Sequence, residues 1–197
     1  MASHYTHLAI AKRYLEKHKG EIKDEQAFYN GSLITDLWLE PNSHYHDPEH
    51  LNIANLVERH KGKSSPKQCL EINGIDDDFN RAKFLHIHAD WVFYNEFFSH
   101  EYLLSTDIQG FAIDNLYTSA HYDDYLREKY GISYGLTTLQ NEVDAILAKY
   151  EKSNIERFGA KTPQGNIIYS ADELNDFIEQ ISSSDIDKLA QFYTEKT

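Results

Sequence analysis

Apolar residues Tyr5, Leu8, Ile10, Ala11, Tyr14 and Leu15 fall on a helical stripe behind Ser3, a natural cap, and Gly20 ends the run near Lys19. A second apolar segment, Lys23 to Leu39, carries Phe28, Leu33, Ile34, Leu37 and Trp38, with Gly31 interrupting it. Residues 40–47 read as a loop. Asp47-Pro48 then joins an N-cap to a proline at the first helical position, which predicts a third helix to about His60. Ser65-Pro66 repeats the device for a short helix ending near Asn73. Asp76-Asp77-Asp78 places negative charge at the start of a long helix bearing Phe79, Ala82, Leu85, His86, Ala89, Asp90, Phe93 and Phe97. Its middle, Phe84 to Tyr94, is apolar almost all round, the pattern of a helix covered on most sides.

Later helices are predicted over Asp107–Tyr130 and Thr138–Lys152, with Gly131 and Gly135 between them. Residues 153–169 read as an irregular or β-hairpin insert around Ile167-Ile168-Tyr169. Ser170-Ala171-Asp172-Glu173 is a capping-box pattern for a helix to about Ile181, and Ser184 caps a last one. The prediction is an all-α chain folded as one helical domain, 1–197, with a bundle over 1–150 and packing helices over 151–197.

The composition supports an ample core without cross-links. There are 14 Tyr, 10 Phe and 2 Trp in 197 residues, and one cysteine, Cys69, which excludes an intramolecular disulfide. No stretch approaches the ~18 apolar residues of a membrane span, and the opening Met1-Ala2-Ser3-His4 lacks the build of a signal peptide, so a cytoplasmic protein is expected. A net charge of −13 is ill suited to following a phosphate backbone, which disfavours nucleic acid as a partner. It does not disfavour a small phosphorylated substrate, because a bound cation reverses the local field.

Eleven histidines spread along the chain change the picture more. His86 and Asp90 stand four apart, on one face of the most apolar helix. A buried carboxylate costs several kcal/mol (order of magnitude) unless it is paired or binds a cation. The pair is therefore either half of a metal site or a His–Asp hydrogen bond pinning core helices. His88 points elsewhere on the helix and reads as structural or surface. His7 lies on the first helix with His4 on its face; Asp36 serves as cap or ligand; one of His44 and His46 faces inward if the loop is extended. His121 and Asp124 share a face of a later helix. His18, His50, His60 and His100 read as helix-surface residues, and Cys69 as core.

Taken in order, Thr6-His7-Leu8-Ala9-Ile10-Ala11, Gly31-Ser32-Leu33-Ile34-Thr35-Asp36-Leu37, Ser43-His44-Tyr45 and Phe84-Leu85-His86-Ile87-His88-Ala89-Asp90 resemble the zinc-dependent phospholipase C family over the first 100 or so residues. The resemblance implies an all-helical fold, Zn2+ held by His and Asp, and hydrolysis of a small-molecule or lipid phosphoester by activated water. It makes His7, Asp36, His44, His86 and Asp90 candidate ligands, with His121 a further one. Asp36 and Asp90 are its candidate catalytic carboxylates, Asp36 as base and Asp90 bridging ions or orienting water. The later His, His and Glu ligands of that family have no counterpart, so one or two ions are expected rather than three. An HD-type phosphohydrolase is the second enzyme reading; it would use His46-Asp47, an earlier histidine such as His18, and Asp123 or Asp90. A non-catalytic helical scaffold with a structural His–Asp network is the third.

Overall fold

The computed structural model describes residues 3–37, 39 and 42–195. Among them are eleven α-helices and no strand: α1 His4–Lys17, α2 Glu25–Ile34, α3 Pro48–Leu51, α4 Leu56–His60, α5 Pro66–Asn73, α6 Asp78–Val92, α7 His100–Ser105, α8 Ile108–Tyr130, α9 Gln140–Phe158, α10 Ala171–Ser182 and α11 Ile186–Glu195. Short 3-10 turns follow α2 (Thr35–Leu37) and α8 (Tyr134–Leu136), and a π-helical turn, Phe93–Phe97, continues α6. Trp38, Glu40 and Pro41, expected at the end of the second segment and in the loop, lie outside the described residues, as do Met1 and Ala2.

The helix starts follow the expected chemistry. Ser3 accepts from the Thr6 N–H, Asp47 from Glu49, Ser65 from Gln68 and Asp77 from Asn80, each filling a first-turn donor that lacks a helical partner. Ser170 and Glu173 form the full capping box. Gly131 and Gly159, both left-handed, close α8 and α9.

α6 is the centre of the core. Every residue from Ala82 to Asp90 is buried. α2 lies along it, and α1 packs against α2, α6, α8 and α10. At the crossing, a Cβ on Gly31 would sit 2.1 Å from the Phe79 carbonyl oxygen, so α2 and α6 approach closely only because position 31 has no side chain. On its outer side α1 is gripped by α10: Arg13 donates to Glu179 from Nε at 2.7 Å and from its terminal nitrogen at 3.1 Å, and Lys17 reaches the same carboxylate at 2.8 Å.

Four expectations are corrected. The third helix is two, α3 and α4, because Asn55 caps a fresh start by accepting from Glu58. α9 runs on to Phe158, since no breaker intervenes before Gly159. No hairpin forms over 153–169. There the backbone is satisfied by side chains of α8: Asp114 accepts from the Asn166 N–H at 2.8 Å, and Thr118 Oγ1 donates to the Asn166 carbonyl at 3.0 Å and accepts from the Ile168 N–H at 3.1 Å. Such contacts replace a partner strand. The last helix is capped by Asp185, which accepts from Lys188, rather than by Ser184.

Candidate metal centre

α1, the 3-10 turn Thr35–Leu37, the turn after it and α6 each send side chains to one buried point. The Ser3 cap fixes the first turn of α1, from which His7 projects inward. Asp36 sits on the 3-10 turn and is fully buried, so its role is not that of a surface cap. His44 is aimed by a turn in which Asn42 and Tyr45 both take positive φ, 52° and 54°. Asn adopts that conformation readily, whereas for Tyr it costs on the order of 1–3 kcal/mol. The turn holds because the Asn42 carbonyl accepts from the Tyr45 N–H at 2.8 Å, Asn42 Oδ1 accepts from the His46 N–H at 2.7 Å, and Asn73 donates to the Tyr45 hydroxyl at 2.5 Å. His86 and Asp90 come from the central helix.

The two carboxylates have no exposed surface. His7 Nε2 lies 3.9 Å from Asp36 Oδ2 and 3.5 Å from Asp90 Oδ1. His86 Nε2 is 3.7 Å from Asp36 Oδ1 and 3.7 Å from Asp90 Oδ2. His44 Nε2 is 3.0 Å from Asp36 Oδ1 and 3.5 Å from Asp90 Oδ2. The His7 and His86 rings stack at 3.6 Å. One donor atom each from His7, Asp36, His86 and Asp90 lies within 4.8 Å of all the others, so this group could hold a metal ion. A tetrahedral ion with bonds of about 2.1 Å needs ligand atoms about 3.4 Å apart. Most of the separations exceed that by only a few tenths of an ångström.

Proton positions follow from the outer partners. His86 Nδ1 donates to the Ser32 carbonyl at 2.7 Å, so a neutral His86 turns the bare lone pair of Nε2 toward both carboxylates. Ser43 spends its hydroxyl proton on the Thr35 carbonyl at 2.8 Å and therefore accepts from His44 Nδ1 at 3.3 Å. His7 Nδ1 and Nε2, Asp36 Oδ2 and His86 Nε2 are buried with no hydrogen-bond partner among the described residues. Burial and then His7 push the His86 imidazole down to about 3, so it is neutral at ordinary pH. Burial also pushes both carboxyls up. For Asp36 this is outweighed by His86 and the hydrogen bond from His44, and for Asp90 by His7. Both remain below the usual carboxylate range.

The structure thus gathers five of the six side chains singled out in the sequence. The sixth, His121, is exposed on α8 against Tyr122 and is not part of the group. His4, on the same face of α1 as His7, reaches the same carboxylate, with Nε2 3.7 Å from Asp36 Oδ2. The i, i+3 spacing of His4 and His7 was the signal for it. Between His44 and His46 the turn selects His44; His46 is half-buried with its ring 5.4 Å away. Asp47 spends one oxygen on the Glu49 N–H at 2.9 Å and the other on His50 at 2.6 Å, which removes the pair an HD-type site needs. His88 is buried and hydrogen-bonded to the Tyr193 hydroxyl at 3.0 Å, a structural role. His60, expected on the surface, is instead 1% exposed, with Nδ1 donating to the Tyr94 carbonyl at 3.0 Å. Cys69 is buried in the core, as expected.

No helix among the described residues is long and apolar enough to cross a membrane. Comparison with protein-family models gave no match, so the likeness to zinc-dependent phospholipase C has no support there. No curated protein and no solved structure matches the chain either. What stands on the residues themselves is an all-helical protein with a buried His/Asp cluster able to hold a metal ion.

Proposed function

We propose that this protein is a metal-dependent hydrolase of phosphate esters, with His7, His44 and His86 joining Asp36 and Asp90 around one or two divalent ions, zinc by the mix of imidazole and carboxylate donors. The observation that carries the reading is the convergence of His86 Nε2, whose ring spends its other nitrogen on the Ser32 carbonyl, on two fully buried carboxylates at 3.7 Å. Lone pair facing lone pair in a dry interior is repulsive, and a cation between them turns the repulsion into coordination. The orphaned atoms of His7 and Asp36 support the same reading.

When bound there, the ion polarises a phosphoryl oxygen and lowers the pKa of its water from ~15.7 toward ~7. In this reading Asp36, through Oδ2, takes a proton from the attacking water and Asp90 orients that water; the Oδ2 atom left without a hydrogen-bond partner supports the role of Asp36. The acidic surface, net −13, argues for a small substrate over nucleic acid.

A second reading, a structural network, is favoured by one contact, the 3.0 Å approach of His44 Nε2 to Asp36 Oδ1, which is a hydrogen bond in the form of the ring that carries a proton on Nε2. Elemental analysis of protein purified without chelators separates the two, together with a screen of phosphomonoesters and phosphodiesters. The hydrolase reading expects stoichiometric metal that Asp90→Asn loses, and turnover of at least one ester class. Metal-free wild-type protein would sink it.

A further inference from the structure

The first turn of α1, α8 and α9 enclose a cavity of about 350 Å3. That is within the roughly 300–1,000 Å3 of small-molecule sites. It abuts the cluster. Two of its lining side chains touch Asp36: His4 Nε2 stands 3.7 Å from Oδ2, and the Tyr150 hydroxyl donates to the main-chain carbonyl at 3.3 Å.

The lining chemistry differs from that of the cluster. Ser3, Ser119, Asn154 and Thr162 present neutral hydrogen-bonding groups. The lining cation, Lys161, is paired with Glu151 at 2.8 Å, so a phosphate group finds its positive partner at the metal end. Tyr134 and Tyr150 add ring surface, and Tyr134 meets the His4 ring edge-on at 6.2 Å. Asp123 lines the same space, and its Oδ1 is buried with no hydrogen-bond partner among the described residues. An orphaned carboxylate oxygen costs about 1–3 kcal/mol or more, which a bound donor recovers. Burial, opposed by a hydrogen bond from Ser3, raises the Asp123 carboxyl to about 6, so it is an acceptor at neutral pH. Neutral amides and hydroxyls beside Asp123 and the Lys161–Glu151 pair, with aromatic faces, suit a hydroxyl-rich group.

We propose that this cleft holds the alcohol part of the phosphoester, a sugar or other polyol, with Asp123 Oδ1 accepting from one of its hydroxyls and the phosphate reaching the cluster past His4. The phosphate end of this proposal rests on the metal-centre reading; the hydroxyl end does not.

The test is isothermal titration of the full chain, purified with its own metal, using glucose 6-phosphate, ethanolamine phosphate and inorganic phosphate as probes. Wild type, Asp123→Ala and Ala120→Trp are compared, the last blocking the cleft from an exposed position of α8. Glucose 6-phosphate is expected to bind about tenfold or more tightly than either other probe. Both variants are expected to erase that preference while keeping metal content and phosphate affinity. No preference for the sugar phosphate, tighter binding of ethanolamine phosphate, or variants that behave as wild type would overturn the proposal. A protein that holds metal and phosphate without the preference refutes the cleft alone. A metal-free protein that keeps an Asp123-dependent preference refutes the metal centre alone.

Discussion

Ser43 decides which nitrogen of His44 is free, because its own proton is committed to the Thr35 carbonyl. Ser43→Ala removes the acceptor that holds the Nδ1 tautomer and leaves the ring free to turn. Loss of such an outer partner typically weakens metal binding about 10- to 100-fold. Chelator competition on Ser43→Ala is therefore expected to show a loss of about tenfold, with helix content unchanged. His60 makes a separate prediction about acid. Burial pushes its imidazole down to about 3, while an unfolded histidine titrates near ~6.5. Between those values the unfolded chain binds a proton that the folded chain refuses. The stability His60 confers is complete above the upper value and drains away as pH falls toward the lower one. His60→Asn, which keeps a donor near the Tyr94 carbonyl, is expected to flatten the fall of Tm between pH 7 and pH 4. Parallel Tm curves for the two proteins would refute the assignment.

Among the elements, the α2–α6 crossing positions the centre, since Asp36 follows α2 and both His86 and Asp90 ride on α6. Gly31→Ala is the sensitive change. Helix propensity alone would favour alanine by up to about 1 kcal/mol. Against that, the new Cβ would meet the Phe79 carbonyl at 2.1 Å, and neither partner is a flexible side chain. Overpacking costs about 1–3 kcal/mol, so a net loss of stability in denaturant melts is expected, with metal affinity reduced as the helices part. How much of this the sequence disclosed depended on the kind of signal. α6 was legible because a carboxylate and an imidazole one turn apart in an apolar helix are an anomaly of local pattern. The choice of His44 over His46 was not, because it is made by two left-handed backbone positions that no side-chain periodicity encodes. The segment after α9 suggested a hairpin through its β-branched residues, yet its hydrogen bonds belong to Asp114 and Thr118 about fifty positions earlier. Asp123 passed only as a member of a rival reading, since what distinguishes it is the cavity it lines.

Over the whole molecule, the candidate ligands tie together four stretches of chain between His7 and Asp90. A bound ion therefore acts on stability as well as chemistry. At a free concentration near 1,000 times its Kd it adds about 4 kcal/mol, so chelation is expected to lower Tm by several degrees and to do less in Asp90→Asn. An unchanged Tm after verified metal removal would count against this role. The salt-bridged clasp of Arg13 and Lys17 on Glu179 adds a dependence on chain order. Every donor atom has been synthesised once Asp90 emerges, but the helix carrying His7 gains its outer support only when α10 arrives. A nascent polypeptide still on the ribosome accordingly has the teeth of the trap without its spring. Premature termination just before Ser170 is expected to weaken ion capture in chelator competition while deleting none of the capturing residues.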